Sequence, residues 1–200
     1  CKNYGTAYLP DDLNNQWYLR NGSLGGGDVR ALGGWAEAAG DSNVIVAIAD
    51  SGVDWNHPDL GGPHPDRVNG AIWTNWDEYY GSPGVDDDGN GYVDDIRGWD
   101  WVNVGGGEQD PPQDTSIPDN DPSDYESHGT NCAGVVAPLT DNGIGIAATA
   151  RGVKMMALRV GWLPNDSNVG VVRMDYASQA MFYAAAKGAK IFNASWGSSS

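Results

Sequence analysis

The segment that most constrains this chain is Val44-Ile45-Val46-Ala47-Ile48-Ala49, an apolar run closed abruptly by Asp50-Ser51-Gly52. A short run of this kind, rich in β-branched residues and bounded by turn residues, reads as a strand buried on both faces. Such strands belong to parallel sheets covered by helices. Asp50 then stands at the carboxyl end of the strand, the edge at which open α/β sheets carry ligands and chemistry. Val153 to Val160 and Lys190 to Ser195 read as a second and a third strand of the same kind. Between them Met174, Ala177, Met181 and Ala185 recur at helical spacing, which predicts a helix with this stripe facing the core and Gly188 ending it. Asp28 is positioned to cap an earlier helix running to Ala39, with Gly40 as its stop. The expected architecture is three-layer α/β/α around a mainly parallel sheet, incomplete on its C-terminal side.

The second informative stretch is Ser127-His128-Gly129-Thr130-Asn131-Cys132-Ala133-Gly134, followed by Val135, Val136 and Ala137. Small residues around a histidine let a helix begin there and pack closely, so the imidazole projects from the helix start. A histidine so placed suits a general base, provided a carboxylate orients its ring. Asp50 is the candidate for that partner. With two cysteines the chain has no disulfide framework. Cys132 reads as a small buried hydrophobe, and Cys1 has nothing evident to hold it.

A net charge of −16 leaves no basic surface for nucleic acid. It fits a secreted, soluble protein or a binder of cations. No apolar run approaches the ~20 residues of a membrane-spanning helix, and the absence of an apolar leader reads as a mature form. The 200 residues read as one domain: an N-terminal arm over 1–27, then a core interrupted by an acidic insertion over 75–126. Thirteen acids lie between Asp86 and Glu126 against the single Arg97. From Asp100 to Glu126 they read as a solvated face. The segment Asp86-Asp87-Asp88-Gly89-Asn90-Gly91-Tyr92-Val93-Asp94-Asp95 differs, because side-chain oxygens recur at Asp86, Asp88 and Asn90. Gly91 allows a sharp turn, the Tyr92 carbonyl follows, and Asp94 comes next, as at positions 1, 3, 5, 6, 7 and 9 of an EF-hand-type calcium loop. Position 12 is Arg97 rather than Glu, so the remaining oxygen falls to Asp95 or a distant residue. The expected cofactor is Ca2+, one ion or more.

Three ordered blocks resemble the subtilisin-like serine proteases, the subtilase family. They are Asp50-Ser51-Gly52-Val53 with His57-Pro58-Asp59-Leu60, His128-Gly129-Thr130 with Cys132-Ala133-Gly134, and Asn193-Ala194-Ser195-Trp196-Gly197. The resemblance implies a secreted serine endopeptidase acting on protein or peptide substrates. Asp50 and His128 would be two members of its triad, with the nucleophilic serine and the oxyanion Asn beyond residue 200. It implies a substrate cleft walled by Ser195, Trp196 and Gly197, with Gly170 and Val171 on its other side. It also implies a calcium site tying the arm to the core through Asp12, Asp59 and Asn142, with the carbonyls of Leu139, Ile144 and Ile146. By the same reading the 200 residues are inactive alone and pair with a C-terminal remainder of the enzyme. Two other readings stand beside it. One is a calcium-binding pseudo-protease or structural module. The other is half of an aspartic protease, suggested by Asp50-Ser51-Gly52 but belonging to an all-β class.

Overall fold

In the computed structural model, residues 16–21, 27–38, 40–61, 70–105, 113–165 and 167–197 are described. The expectations for Cys1, Asp12, His64, Glu108 and Asp110 lie outside them. Strand β1 (Ile45–Asp50) forms where the apolar run predicts it, and β3 (Lys154–Arg159) and β6 (Ile191–Asn193) supply the other two expected strands. A further strand, β2 (Gly98–Asp100), joins them in the order β2-β3-β1-β6, with every pairing parallel. A two-stranded antiparallel hairpin, β4 (Gly161–Trp162) with β5 (Val171–Val172), follows the end of β3.

Alternation along the strands sends side chains to two opposite layers. Val46, Ile48, Met155 and Ala157 pack with Ala133 of α3 (His128–Val136) on one face. Ala47, Ala49, Met156 and Leu158 pack with Tyr176, Ala180, Tyr183 and Ala184 of α4 (Met174–Ala186) on the other. The outcome is a parallel sheet between helices. This excludes the aspartic-protease reading, whose fold is all-β.

The helices depart from expectation in two respects. The early helix α1 is shorter, Ala31–Glu37, and Arg30 rather than Asp28 occupies its N-cap position. Asp28 instead accepts the Arg30 N–H at 2.8 Å and the Asn21 N–H, a local turn that competes with capping. On α4 the buried stripe is Tyr176, Ala177, Ala180, Tyr183 and Ala184, whereas Met174 and Met181 are exposed. The tyrosines win the inward face because their hydroxyls find partners there. Tyr176 donates to the Asn103 carbonyl at 2.8 Å and Tyr183 to Asp95 at 2.7 Å.

Both acceptors belong to the acidic insertion, whose described residues form more than a solvated face. It contains α2 (Trp76–Tyr79) and β2, and Trp101 and Val102 sit in the core. Asp100 is 1 % exposed beside Arg159, itself fully buried, whose guanidinium also contacts the Asp114 carbonyl. Burial pushes the Asp100 carboxyl up to about 7, against the pull of Arg159. The Arg159 guanidinium also lies over the Tyr125 ring, 4.7 Å from its centroid. These contacts correct the expectation of a run of exposed acids from Asp100 onward.

Candidate active site

The site forms where β1 ends and α3 begins. Two glycines let these ends meet. Gly52 has φ +112, and a Cβ there would stand 2.3 Å from the Ser123 carbonyl; one on Gly129 would stand 2.0 Å from the Gly52 carbonyl. A side chain at Gly129 would push the helix off the strand end, and one at Gly52 would displace the Pro122–Ser123 backbone that leads to the helix. As built, the Nδ1 of His128 lies 2.7 Å from Asp50 Oδ1, which also accepts the Ser51 N–H at 2.8 Å. The Asp50 side chain is 4 % exposed and that of His128 49 % exposed. A buried carboxylate therefore holds one edge of a ring whose other edge reaches solvent. The hydrogen bond that His128 donates to Asp50 raises the His128 pKa above its ordinary value, only partly offset by burial. Among the described residues no hydroxyl bonds to Nε2 of His128.

A residue that sequence reasoning passed over holds this geometry together. Asp124 accepts five hydrogen bonds. The Ser51 hydroxyl and the Glu126 and Ser127 N–H groups donate to Oδ1, each at 2.9 Å, while the Thr130 N–H, at 2.9 Å, and the Thr130 hydroxyl donate to Oδ2. Ser51 Oγ in turn accepts the Gly129 N–H at 3.0 Å, and Thr130 Oγ1 accepts the Asp54 N–H at 2.9 Å. One carboxylate thus ties the end of β1 to the start of α3. Its position two residues before the turn at Glu126–Ser127 was the available signal, hidden among many acids.

A cleft of about 220 Å³ opens beside the dyad. Asp50 and His128 line it together with Glu126, Gly161, Val169 to Val172, and Ser195, Trp196 and Gly197. The structure therefore brings Gly170, Val171 and the Ser195–Gly197 segment to the same cleft as the dyad. The indole N–H of Trp196 donates to the Ala49 carbonyl at 2.7 Å, and the Ser195 hydroxyl to Asn193 Oδ1 at 2.9 Å. Cys132 is a free thiol whose Sγ lies 4.0 Å from His128 Nδ1, and burial pushes its pKa up, away from the reactive thiolate.

The residues expected at the calcium sites fall into two groups. In the insertion, Asp86 accepts the Asn90 N–H at 3.0 Å and the Gly91 N–H at 2.7 Å, and Asn90 Oδ1 accepts the Tyr92 N–H at 2.6 Å. The loop thus curls around its own carboxylates. Glu78, from α2, is buried at its base and accepts N–H bonds from Asp87, Asp88 and Asp94 at 2.8, 3.0 and 2.9 Å. Ligand oxygens of Glu78, Asp86 and Asp88 lie within 4.8 Å of one another. Asp95 does not join them. It turns into the core, fully buried, and accepts hydrogen bonds from Tyr183, Asn75 and Asn90. Asp94 is occupied by the Gly84 N–H at 2.7 Å, and Lys187 pairs with Asp88. In the second group Asp59 is buried, and Asn142 Nδ2 donates to it at 2.9 Å and the Ile146 N–H at 3.1 Å. The Leu139 N–H bonds the Asp59 carbonyl at 2.7 Å, and the Ile144 N–H bonds Asn142 Oδ1 at 2.9 Å. His57 accepts the Asp59 N–H at 3.1 Å and shapes the turn.

A parallel sheet bearing a buried carboxylate and a half-exposed histidine at its carboxyl edge, beside a cleft, defines an α/β protein with a hydrogen-bonded Asp-His pair at that cleft. Comparison with known proteins makes this specific. Residues 41–200 match the family model described as the subtilase family, and the chain belongs to that family. It is 30 % identical over 157 residues to subtilisin-like protease 1 of Plasmodium berghei, covering 76 % of this chain and 21 % of that protein. With the Plasmodium vivax protein of the same name the identity is 41 % over 101 residues, half of this chain and 12 % of that one. With thermitase of Thermoactinomyces vulgaris it is 29 % over 190 residues, covering 95 % of this chain and 48 % of thermitase. The chain thus spans half or less of these relatives. Among the described residues no helix is long and apolar enough to cross a membrane.

Proposed function

We propose that these residues serve a secreted serine endopeptidase, stabilised by calcium, in which Asp50 and His128 form the base half of an Asp-His-Ser triad. The observation that carries this reading is the 2.7 Å bond between His128 Nδ1 and the buried Asp50, with the opposite ring edge facing the cleft. Asp50 accepts the Nδ1–H and so fixes the tautomer that leaves the Nε2 lone pair free. A serine hydroxyl supplied from outside residues 1–200 gives its proton to Nε2 as its oxygen attacks the peptide carbonyl. The resulting imidazolium is held by Asp50 and then protonates the leaving amine. An Asn side chain, also from outside these residues, and a backbone N–H stabilise the oxyanion. Ser195, Trp196, Gly197, Gly170 and Val171 flank the bound peptide.

Calcium fits the donor set, which consists of hard oxygens on short loops. In the insertion the ligands are Glu78, Asp86 and Asp88, with oxygens of Asn90, Tyr92 and Asp94; Glu78 replaces Asp95 in this role. The second site draws on Asp59 and Asn142, with Asp12 and the carbonyls of Leu139, Ile144 and Ile146. A bound cation would offset repulsion among the clustered carboxylates and tie the loops to the core. Chelation is expected to lower the melting temperature, and Glu78→Gln to raise the calcium concentration needed to restore it. A melting curve indifferent to chelator would remove calcium from the proposal.

The triad reading is tested by treating the natural polypeptide with a fluorophosphonate and mapping the adduct. Labelling of a single serine, abolished by His128→Ala, is the expected result. A folded full-length polypeptide that takes no label would instead favour the pseudo-protease.

A further inference from the structure

We infer that Glu126 is a specificity-determining carboxylate that selects substrates carrying a Lys or Arg side chain beside the scissile bond. The inference rests on the endopeptidase reading above. Two carboxylates line the cleft, those of Asp50 and Glu126, and a third, that of Asp124, braces the turn that carries Glu126. Asp50 Oδ1 holds His128 and the Ser51 N–H, while its Oδ2 has no hydrogen-bond partner but is buried out of contact with solvent and substrate. Asp124 accepts five donors. Glu126 lines the cleft next to His128, and among the described residues its carboxylate accepts one hydrogen bond, from the Gly170 N–H at 3.2 Å on Oε1.

No Lys or Arg among the described residues pairs with it. The basic side chains with ion pairs are committed elsewhere: Arg151 to Asp141, Arg159 to Asp100, Arg173 to Asp175 and Lys187 to Asp88. His128 cannot serve as the counter-charge, because it must be neutral to act as the base. A partly desolvated carboxylate with open acceptor capacity in a recognition cleft is completed by a donor from the ligand.

Its placement is fixed rather than loose. The Glu126 N–H is held by Asp124 at 2.9 Å, and Gly170, lacking a side chain, lets the carboxylate lie against the opposite wall. A Cβ on Gly170 would stand 2.2 Å from Glu126 Oε2. The net charge of −16 further enriches cationic peptides around the molecule.

The test uses the full-length protease and fluorogenic peptides carrying Arg, or its neutral isostere citrulline, at each position around the scissile bond. At one position wild-type enzyme should prefer Arg by roughly 10- to 100-fold in kcat/KM, the range of one charge-assisted hydrogen bond. Glu126→Gln, which can still accept the Gly170 N–H, should bring that ratio to near one, chiefly by lowering kcat/KM for the Arg peptide. Glu126→Lys should reverse the preference toward Glu. An Arg-to-citrulline ratio near one in wild type, or one that survives Glu126→Gln, overturns the inference while leaving the endopeptidase intact. A wild-type enzyme that neither cleaves any peptide nor takes a fluorophosphonate overturns the endopeptidase reading, and this one with it.

Discussion

Asp124→Asn isolates the residue that couples the strand end to the histidine helix. The carboxylate accepts three donors on Oδ1 and two on Oδ2. An amide keeps one acceptor oxygen and turns an NH2 toward the other donors. Its least costly orientation keeps the carbonyl toward Ser51, Glu126 and Ser127. The Thr130 hydroxyl can rotate to accept from the new NH2, but the Thr130 N–H then loses its partner. An unsatisfied donor costs about 1–3 kcal/mol, and the surviving bonds lose their charge assistance. Ser127 is exposed and can turn to water, which reduces the total. The expected loss is about 2–3 kcal/mol, read from urea midpoints at constant slope. Asp121→Asn is the matched control. That carboxylate also accepts several donors, from Ser123 and Trp55, but on an exposed turn where water replaces it, so the cost should stay below about 1 kcal/mol. Equal losses for the two variants, or an Asp124→Asn protein within about 0.5 kcal/mol of wild type, would refute the coupling.

Asp50→Asn in the intact protease should lower kcat by ~10⁴ through loss of the right tautomer, and a near-wild-type rate would dismiss the dyad. The neutral imidazole is the base, and its pKa is raised, so the acid limb of kcat/KM should lie above the ordinary His value of ~6.5 and move down in Asp50→Asn. The same proton is held more tightly in the folded state. Its stabilisation is therefore fully present below about pH 6.5 and lost as pH rises through the folded value, which urea midpoints across that range would register. Arg159→Met leaves the buried Asp100 without a counter-charge and should cost about 3–5 kcal/mol, whereas Arg159→Met with Asp100→Leu should recover much of it; additive losses would contradict the pairing.

Strands β1 and β3 were legible because each is a short apolar run buried on both faces, and nothing in the tertiary structure competes with that pattern; β6 forms where expected although Ile191 is exposed and Phe192 and Asn193 only half-buried. His128 was legible for a related reason: the small residues after it permit one close packing against β1. The insertion was not. Thirteen acids against one Arg look uniformly hydrophilic, and composition cannot say which carboxylate meets a buried cation. Asp100 goes inside because Arg159 faces it across the β2–β3 register, where the two are aligned partners. Asp95 goes inside because Tyr183 and Asn75 reach it. On α4 the spacing of Met174, Ala177, Met181 and Ala185 competes with that of Tyr176, Ala180, Tyr183 and Ala184, and spacing alone does not choose between the two faces. Tyrosine prevailed because the insertion provides acceptors for its hydroxyl.

These departures share a physical cause that bears on the site itself. Arg159 sits in register with Asp50 on β1 and with Asp100 on β2, so the sheet's carboxyl edge carries the dyad and the insertion's anchor side by side. From that anchor the Arg159 guanidinium reaches Tyr125, between Asp124 and Glu126. Asp124 then braces the histidine helix while Glu126 faces the cleft. The far end of the insertion is fastened separately, through Glu78, Asp88 and Lys187 of the α4 terminus. An acidic segment pinned at both ends in this way acts as part of the scaffold. Substitutions at its buried acids should therefore disturb the dyad as well as stability, and substitutions at its exposed acids should disturb neither.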